Sequence, residues 1–255
     1  MSAEPSDGEL AVGLARQAGE LLCRLRAEVG FDDPATLRAE GDRRSHALIA
    51  AELARCRPGD AVLSEEGTRD GTDRAGAPRV WIVDPLDGTR EYAEAGREDW
   101  AVHVALWEAG SGAPSDLTAG AVALPAQGRV LSTVTPPPPR APGSGPLRLV
   151  ASRSRPPEFL TGLAARLGAV LVPMGSAGAK CAAVVSGAAD AYVHAGGQYE
   201  WDSAAPVAVA SAAGLHTSRL DGSPLTYNHP DPWLPDLLVC RPDLADRLLL
   251  ALGGP

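Results

Sequence analysis

Lysine is almost missing from this chain. Lys180 is the single example, and arginine supplies the other basic side chains, giving a net charge of −9. A general nucleic-acid or membrane-surface binder needs a basic face, so this balance argues against both as partners. It leaves room for a small anionic substrate, because bound metal ions reverse the local sign. The lysine shortage, set beside so much Ala, Gly and Pro, has a plain explanation in GC-rich coding. Cysteine is also sparse: Cys23, Cys56, Cys181 and Cys240 show no CxxC spacing. That argues against a zinc site and points to reduced thiols in a cytoplasm. No apolar run approaches the ~20 residues of a membrane span. Met1 to Leu10 is acidic and polar, unlike a signal peptide.

What is present is ordinary for a soluble enzyme: 255 residues, 45% hydrophobic and 22% charged. This length suits one large domain or two lobes. Ser6-Asp7-Gly8-Glu9 reads as a capping box. Leu10, Leu14, Leu21, Leu22, Leu25 and Val29 then repeat at helical spacing, which predicts a helix over 7–29. A second helix is expected from Asp42 to Arg57, after a loop through Asp32-Asp33-Pro34. Ala61-Val62-Leu63 reads as a short strand delivering Ser64-Glu65-Glu66. Trp100, Val102, Val104 and Leu106 alternate as a half-buried strand, and two further strands complete a meander. The clearest break is Thr135 to Pro146, with its Pro136 to Pro139 run. Beyond it, strand and helix alternate. The chain therefore reads as an α+β lobe over 1–140 and an α/β lobe over 147–255.

The organising stretch is Trp81-Ile82-Val83-Asp84-Pro85-Leu86-Asp87-Gly88-Thr89. Three apolar residues form a buried strand that Asp84 and Pro85 should end, since proline has no N–H for the ladder. The proline-fixed turn can aim Asp84 and Asp87 at one point. Two such carboxylates repel unless a cation lies between them. Gly88 and Thr89 offer amides and a hydroxyl suited to a phosphate. An isolated Asp-Gly is more often a solvated turn, but the buried run and the proline make that reading weaker here.

A second acidic stretch, Gly196-Gly197-Gln198-Tyr199-Glu200-Trp201-Asp202, opens a helix over 201–213. Asp202 either caps that helix or is carried across to the Asp84 turn, and spacing does not choose. Glu65, Asp84, Asp87 and Asp202 together would make an all-oxygen site. Such a site suits Mg²⁺ or Mn²⁺ and phosphoryl transfer to water. Thr89, oriented by a carboxylate such as Asp42, is placed to direct the water. His103, His194, His216 and His229 show no ligand spacing and read as structural.

Ser64-Glu65-Glu66, Asp84-Pro85-Leu86-Asp87-Gly88-Thr89 and Trp201-Asp202-Ser203-Ala204-Ala205 occur in this order. The set resembles the inositol monophosphatase-like superfamily of metal-dependent, lithium-sensitive phosphatases. The resemblance implies a layered αβαβα sandwich, usually dimeric. It implies a first metal ion on Glu65, Asp84 and the Leu86 carbonyl, a second on Asp84, Asp87 and Asp202, and a third, weaker one on Glu65 through waters. It gives Thr89, paired with Asp42, the nucleophilic water, and the Gly88 and Thr89 amides the phosphate. The motif Ala39-Glu40-Gly41-Asp42 lacks the threonine common in the family, and Ser64 stands where many inositol phosphatases carry glycine.

Leu63-Ser64-Glu65-Glu66 is most similar to the 3'(2'),5'-bisphosphate nucleotidase branch, whose substrate is 3'-phosphoadenosine 5'-phosphate. Ala151-Ser152-Arg153-Ser154-Arg155 and Gly175-Ser176-Ala177-Gly178-Ala179-Lys180 resemble its nucleotide-holding segments. Ser152, Arg153, Ser154, Ser176 and Lys180 are thus expected to bind substrate. Arg153 and Arg155 are equally readable as a solvated pair. Inositol-1-phosphate phosphatase and fructose-1,6-bisphosphatase activities are the alternatives within the superfamily. An inactive sensor of a phosphate ligand is the alternative of another class. Tyr199 and Trp233 can stack on a base, although packing is the better reading for both.

Overall fold

The computed structural model describes residues 4–67, 74, 76–138, 145–154 and 156–253. Helix α1 (Asp7–Val29) opens on the expected capping box: Ser6 N donates to Glu9 Oε2 at 2.9 Å, and Glu9 N to Ser6 Oγ at 3.3 Å. Its Leu10, Leu14, Leu22 and Leu25 are buried. Helix α2 (Pro34–Cys56) starts eight residues before the expected Asp42. Asp33 caps it through Thr36 N at 3.1 Å, and Pro34 occupies the first turn, where a missing N–H costs nothing. Gly41 does not break this helix. A Cβ there would lie 2.9 Å from both Leu86 and Tyr92, so the glycine allows close packing of helix and strand.

The first sheet runs β1 (Ala61–Ser64), β2 (Arg79–Asp87), β3 (Ala101–Glu108), β4 (Leu117–Leu124) and β5 (Arg129–Ser132), in that order. β1 and β2 are parallel and the rest antiparallel. β2 does not stop at Asp84. Asp84 pairs with His103 and Asp87 with Ala101, so Pro85 and Leu86 together face one residue of β3. This bulge accommodates the proline inside a strand. β3 is buried on both faces rather than half-buried: Trp100, Val102, Val104 and Leu106 face α1 and α2, while Ala101 and Ala105 join the core on the other side. Glu65 and Glu66 lie in a turn after β1. β2 is followed directly by a short helix, α3 (Thr89–Tyr92).

The second sheet follows the order β7 (Ala169–Met174), β6 (Leu147–Ser152), β8 (Ala191–Tyr199), β10 (Trp233–Cys240), β9 (His216–Ser218). α4 (Phe159–Leu167) and α7 (Ala245–Leu252) cover its outer face. α5 (Ala177–Val185) and α6 (Glu200–Ala212) lie between the sheets. The layers are therefore α1/α2, first sheet, α5/α6, second sheet, α4/α7, the expected αβαβα sandwich. The middle layer is built from small residues. A Cβ at Gly120 on β4 would come 2.7 Å from Ala208 of α6. Gly196 and Gly197 belong to β8, at a second bulge, and are not a loose turn. Residues 139–144 of the expected break, and Arg155, lie outside the described residues.

Candidate active site

The β2 bulge turns two aspartates into the space where α6 begins. Asp84 and Asp87 are 1% and 7% exposed. Asp202 comes from the third residue of α6, held by a hydrogen bond from Tyr199 N to its Oδ2 at 2.6 Å. Asp84, Asp87 and Asp202 each present a carboxylate oxygen within 4.8 Å of the others. Asp202 is thus both a local helix-start acceptor and a member of the cluster. The two roles offered by its spacing coexist.

The electrostatics show what this convergence costs. Burial, then repulsion from Asp87, Glu65 and Asp202, pushes the Asp84 carboxyl well above its ordinary range. Burial and the Asp87 charge lift Asp202 to about 6, against the Tyr199 amide, His103 and Lys180. Glu65 is exposed as a residue. Its carboxyl is nevertheless raised to about 7 by desolvation and by Asp202, Asp42, Asp87 and Glu66. Asp42, on α2, reaches about 7 through burial and the Glu66 charge. Asp87 alone is held low, at about 2: burial opposes its charge, but His103, Ser176 and Lys180 outweigh it. Three converging acids with an all-oxygen donor set, and raised carboxyls around them, fit a hard divalent cation.

Asp87 is held by groups that sequence reasoning assigned elsewhere. Ser176 Oγ donates to its Oδ2 at 2.5 Å, and Gly178 N at 2.7 Å. Ser176 adopts φ 47° and also caps α5 through Ala179 N at 2.9 Å. His103 Nε2 sits 3.2 Å from the same oxygen, without hydrogen-bond alignment. His103 was read as structural because no ligand spacing surrounds it. Its ladder partner is Asp84, a pairing that exists only in the folded sheet.

The Gly88-Thr89 turn is held on both sides. Gly88 has φ +83°, and a Cβ there would lie 3.0 Å from Ser176 Cβ and 3.3 Å from the Asp99 carbonyl. Gly88 precedes α3, so the Thr89 amide stands at that helix start. No hydrogen bond joins Thr89 to Asp42 among the described residues. Leu86 N donates to Asp84 Oδ1 at 3.0 Å.

The expected substrate groups are engaged in different ways. Arg153 donates to Glu91 at 2.8 Å and Glu94 at 2.9 Å, tying the strand end after β6 to α3. Lys180 is 5% exposed; its ammonium donates to the Gly175 carbonyl at 3.3 Å and lies over the Tyr192 ring. Ser152 ends β6, and Ser154 follows it on the surface. The four cysteines are free, and no described helix is long and apolar enough to cross a membrane.

Known proteins are similar to this chain in sequence and fold. The model of the inositol monophosphatase family matches residues 8–138 and 142–249. A Mycobacterium tuberculosis protein named 3'-phosphoadenosine 5'-phosphate phosphatase is 54% identical over 239 residues, 92% of this chain and 89% of that protein. A Mycobacterium leprae protein of the same name is 53% identical over 254 residues, 97% of this chain and 93% of that one. The crystal structure of CysQ from Bacteroides thetaiotaomicron is 27% identical, with a TM-score of 0.77 over 92% of this chain and 97% of that one. The chain belongs to the inositol monophosphatase family.

Proposed function

We propose that this protein is a metal-dependent phosphomonoesterase. It releases the 3'-phosphate of 3'-phosphoadenosine 5'-phosphate, leaving AMP and inorganic phosphate. The observation that carries the reading is the Asp84, Asp87 and Asp202 cluster beside the Gly88-Thr89 turn. The mycobacterial relatives that share half of its residues support the choice of substrate. Recycling this nucleotide would serve sulfate assimilation, and the free thiols are in keeping with a cytoplasmic location.

Asp84, Asp87 and Asp202, with Glu65 and the Leu86 carbonyl, would hold the cation, two or three Mg²⁺ in the family's manner, with Mn²⁺ as substitute and Li⁺ as inhibitor. Bound there, the metal polarises the phosphate and makes a water nucleophilic at neutral pH. The Gly88 and Thr89 amides bind phosphate oxygens, and Thr89 Oγ1 orients the water. Asp42, with its carboxyl near neutrality, accepts the proton as the water oxygen bonds to phosphorus. The bond from phosphorus to the 3'-oxygen breaks, and that oxygen takes a proton from solvent. Lys180 and Ser176 act from behind, holding Asp87 charged. Ser152, Arg153 and Ser154 flank the site and would reach the rest of the nucleotide. In this reading, the lobes 1–140 and 147–255 form one catalytic unit, acting as a homodimer.

The test is phosphate release with Mg²⁺ from 3'-phosphoadenosine 5'-phosphate, inositol 1-phosphate and fructose 1,6-bisphosphate side by side. The nucleotide should be the best of the three, and its being the poorest would overturn the substrate assignment. No turnover of any of them would instead favour a phosphate-ligand sensor.

A further inference from the structure

Two large aromatic rings stand open where β8 leads into α6 and take no part in the chemistry above. Tyr199 is 45% exposed and Trp233 is 50% exposed. They are direct partners in the β8/β10 ladder, so both side chains rise from one face of the sheet. Rings of this size usually bury, because each removes a large apolar area from water.

Neither ring is loose. Tyr199 stacks on Trp201, with centroids 4.7 Å apart and planes 12° from parallel. Trp201 is 6% exposed and belongs to the core between the sheets. One Tyr199 face is therefore backed by the core, and its exposure falls on the remaining surface. Trp233 lies against the β8 bulge, where a Cβ at Gly197 would meet its Nε1 at 2.6 Å. Gly197 has φ +91°, a conformation that glycine adopts without strain. The bulge thus does two things at once: it seats the indole and delivers Tyr199 to the start of α6.

The Tyr199 amide donates to Asp202 Oδ2 at 2.6 Å, so the Tyr199 main chain is anchored to a member of the acidic cluster. Tyr199 immediately precedes α6, three residues before Asp202. Half-exposed aromatic rings side by side on one sheet face suit a planar π-system better than a polyol, whose hydroxyls need hydrogen-bond partners.

We infer that Tyr199 and Trp233 form a stacking platform for the purine base of the substrate, and so determine its specificity for a nucleotide. This rests on the nucleotide reading proposed above. Base stacking on an aromatic ring is sequence-tolerant and strong enough to dominate such a preference.

The experiment compares kcat/KM of the Mg²⁺-loaded enzyme on 3'-phosphoadenosine 5'-phosphate and on its abasic counterpart, in which hydrogen replaces adenine. Wild type should favour the nucleotide. Tyr199→Ala should lose roughly five- to a hundredfold of that preference, mainly through KM, and Trp233→Ala should lose part of it. Tyr199→Phe keeps the π face and should retain the preference. A purely structural Tyr199 would lower both substrates equally, and an unchanged ratio in both alanine variants overturns the platform. Should the alanine variants fail to fold, a wild-type preference below about threefold overturns it equally. If wild type releases phosphate from neither bisphosphate, the functional reading fails instead, which keeps the two failures apart.

Discussion

His103 Nε2 stands 3.2 Å from Asp87 Oδ2, while its Nδ1 donates to the Trp201 carbonyl at 3.1 Å. The ring is fully buried. Burial alone would lower its pKa, but Asp87, the Trp201 carbonyl and Asp202 raise it. Residues from β2, β3 and α6 are thereby tied to one imidazole. We expect His103→Gln to destabilise the metal-free protein by about 3 kcal/mol, as removal of one partner from a buried charged pair does. Urea unfolding with and without Mg²⁺ measures it, and a loss that Mg²⁺ does not reduce would separate His103 from the metal site.

Asp84→Asn should move activity and stability in opposite directions. Turnover should fall roughly a thousandfold or more, since a metal ligand is lost. The metal-free protein should melt higher, because a buried carboxyl raised by its neighbours is replaced by a neutral amide. Initial rates and calorimetry on one preparation read both effects. Undiminished phosphate release would sink the metal-site argument.

The acidic cluster also sets a pH dependence. Asp42, Glu65, Asp84 and Asp202 all have folded pKa values above their ordinary ones. The native state therefore binds more protons than the unfolded chain from about pH 4 to about pH 7, and stability falls as pH rises through that window. The raised His103 acts in the same direction. Asp87, lowered to about 2, favours the fold at higher pH, but its contribution changes below this window. The chelated protein should melt lower at about pH 8 than at about pH 5, with Mg²⁺ removing the difference. A chelated protein equally stable at both would contradict the repulsion.

Glycine replacement tests the packing around Asp87. A Cβ at Gly178 would lie 2.1 Å from His103 Nε2, so Gly178→Ala should cost about 1–3 kcal/mol and reduce activity. Gly13, inside α1, has no such neighbour: its nearest contact would be Gln17 Nε2 at 3.9 Å. Gly13→Ala should be neutral or stabilise by up to about 1 kcal/mol through helix propensity. Thermal melts of the pair check it, and equal effects would discount the crowding at His103.

Much of the architecture was legible in local pattern. The capping box at Ser6, the leucine spacing of α1, and the alternation from Trp100 to Leu106 each report one element's own geometry. The expected start of α2 at Asp42 treats Asp32-Asp33-Pro34 as loop, whereas Asp33 and Pro34 are the cap and first turn of the helix, and the use of Gly41 as a packing gap needs Leu86 and Tyr92 in view. Pro85 reads locally as the end of β2, and the bulge that keeps it inside the strand depends on the partner strand.

The site divides in the same way. The acids of the Asp84 turn, Glu65 and Asp202 were readable as residue types suited to a hard cation. That Asp84, Asp87 and Asp202 converge within 4.8 Å is a property of β2 and α6 packing together, residues more than a hundred positions apart. Arg153, Ser176 and Lys180 show the limit most clearly. Each carries polar or charged groups suited to a phosphate. Folding gives Arg153 to Glu91 and Glu94, Ser176 to Asp87, and Lys180 to a buried carbonyl. A side chain's chemistry is a local property that sequence states outright. Its partner is chosen by through-space contact and the cost of leaving buried charge unpaired, and those exist only once the layers close.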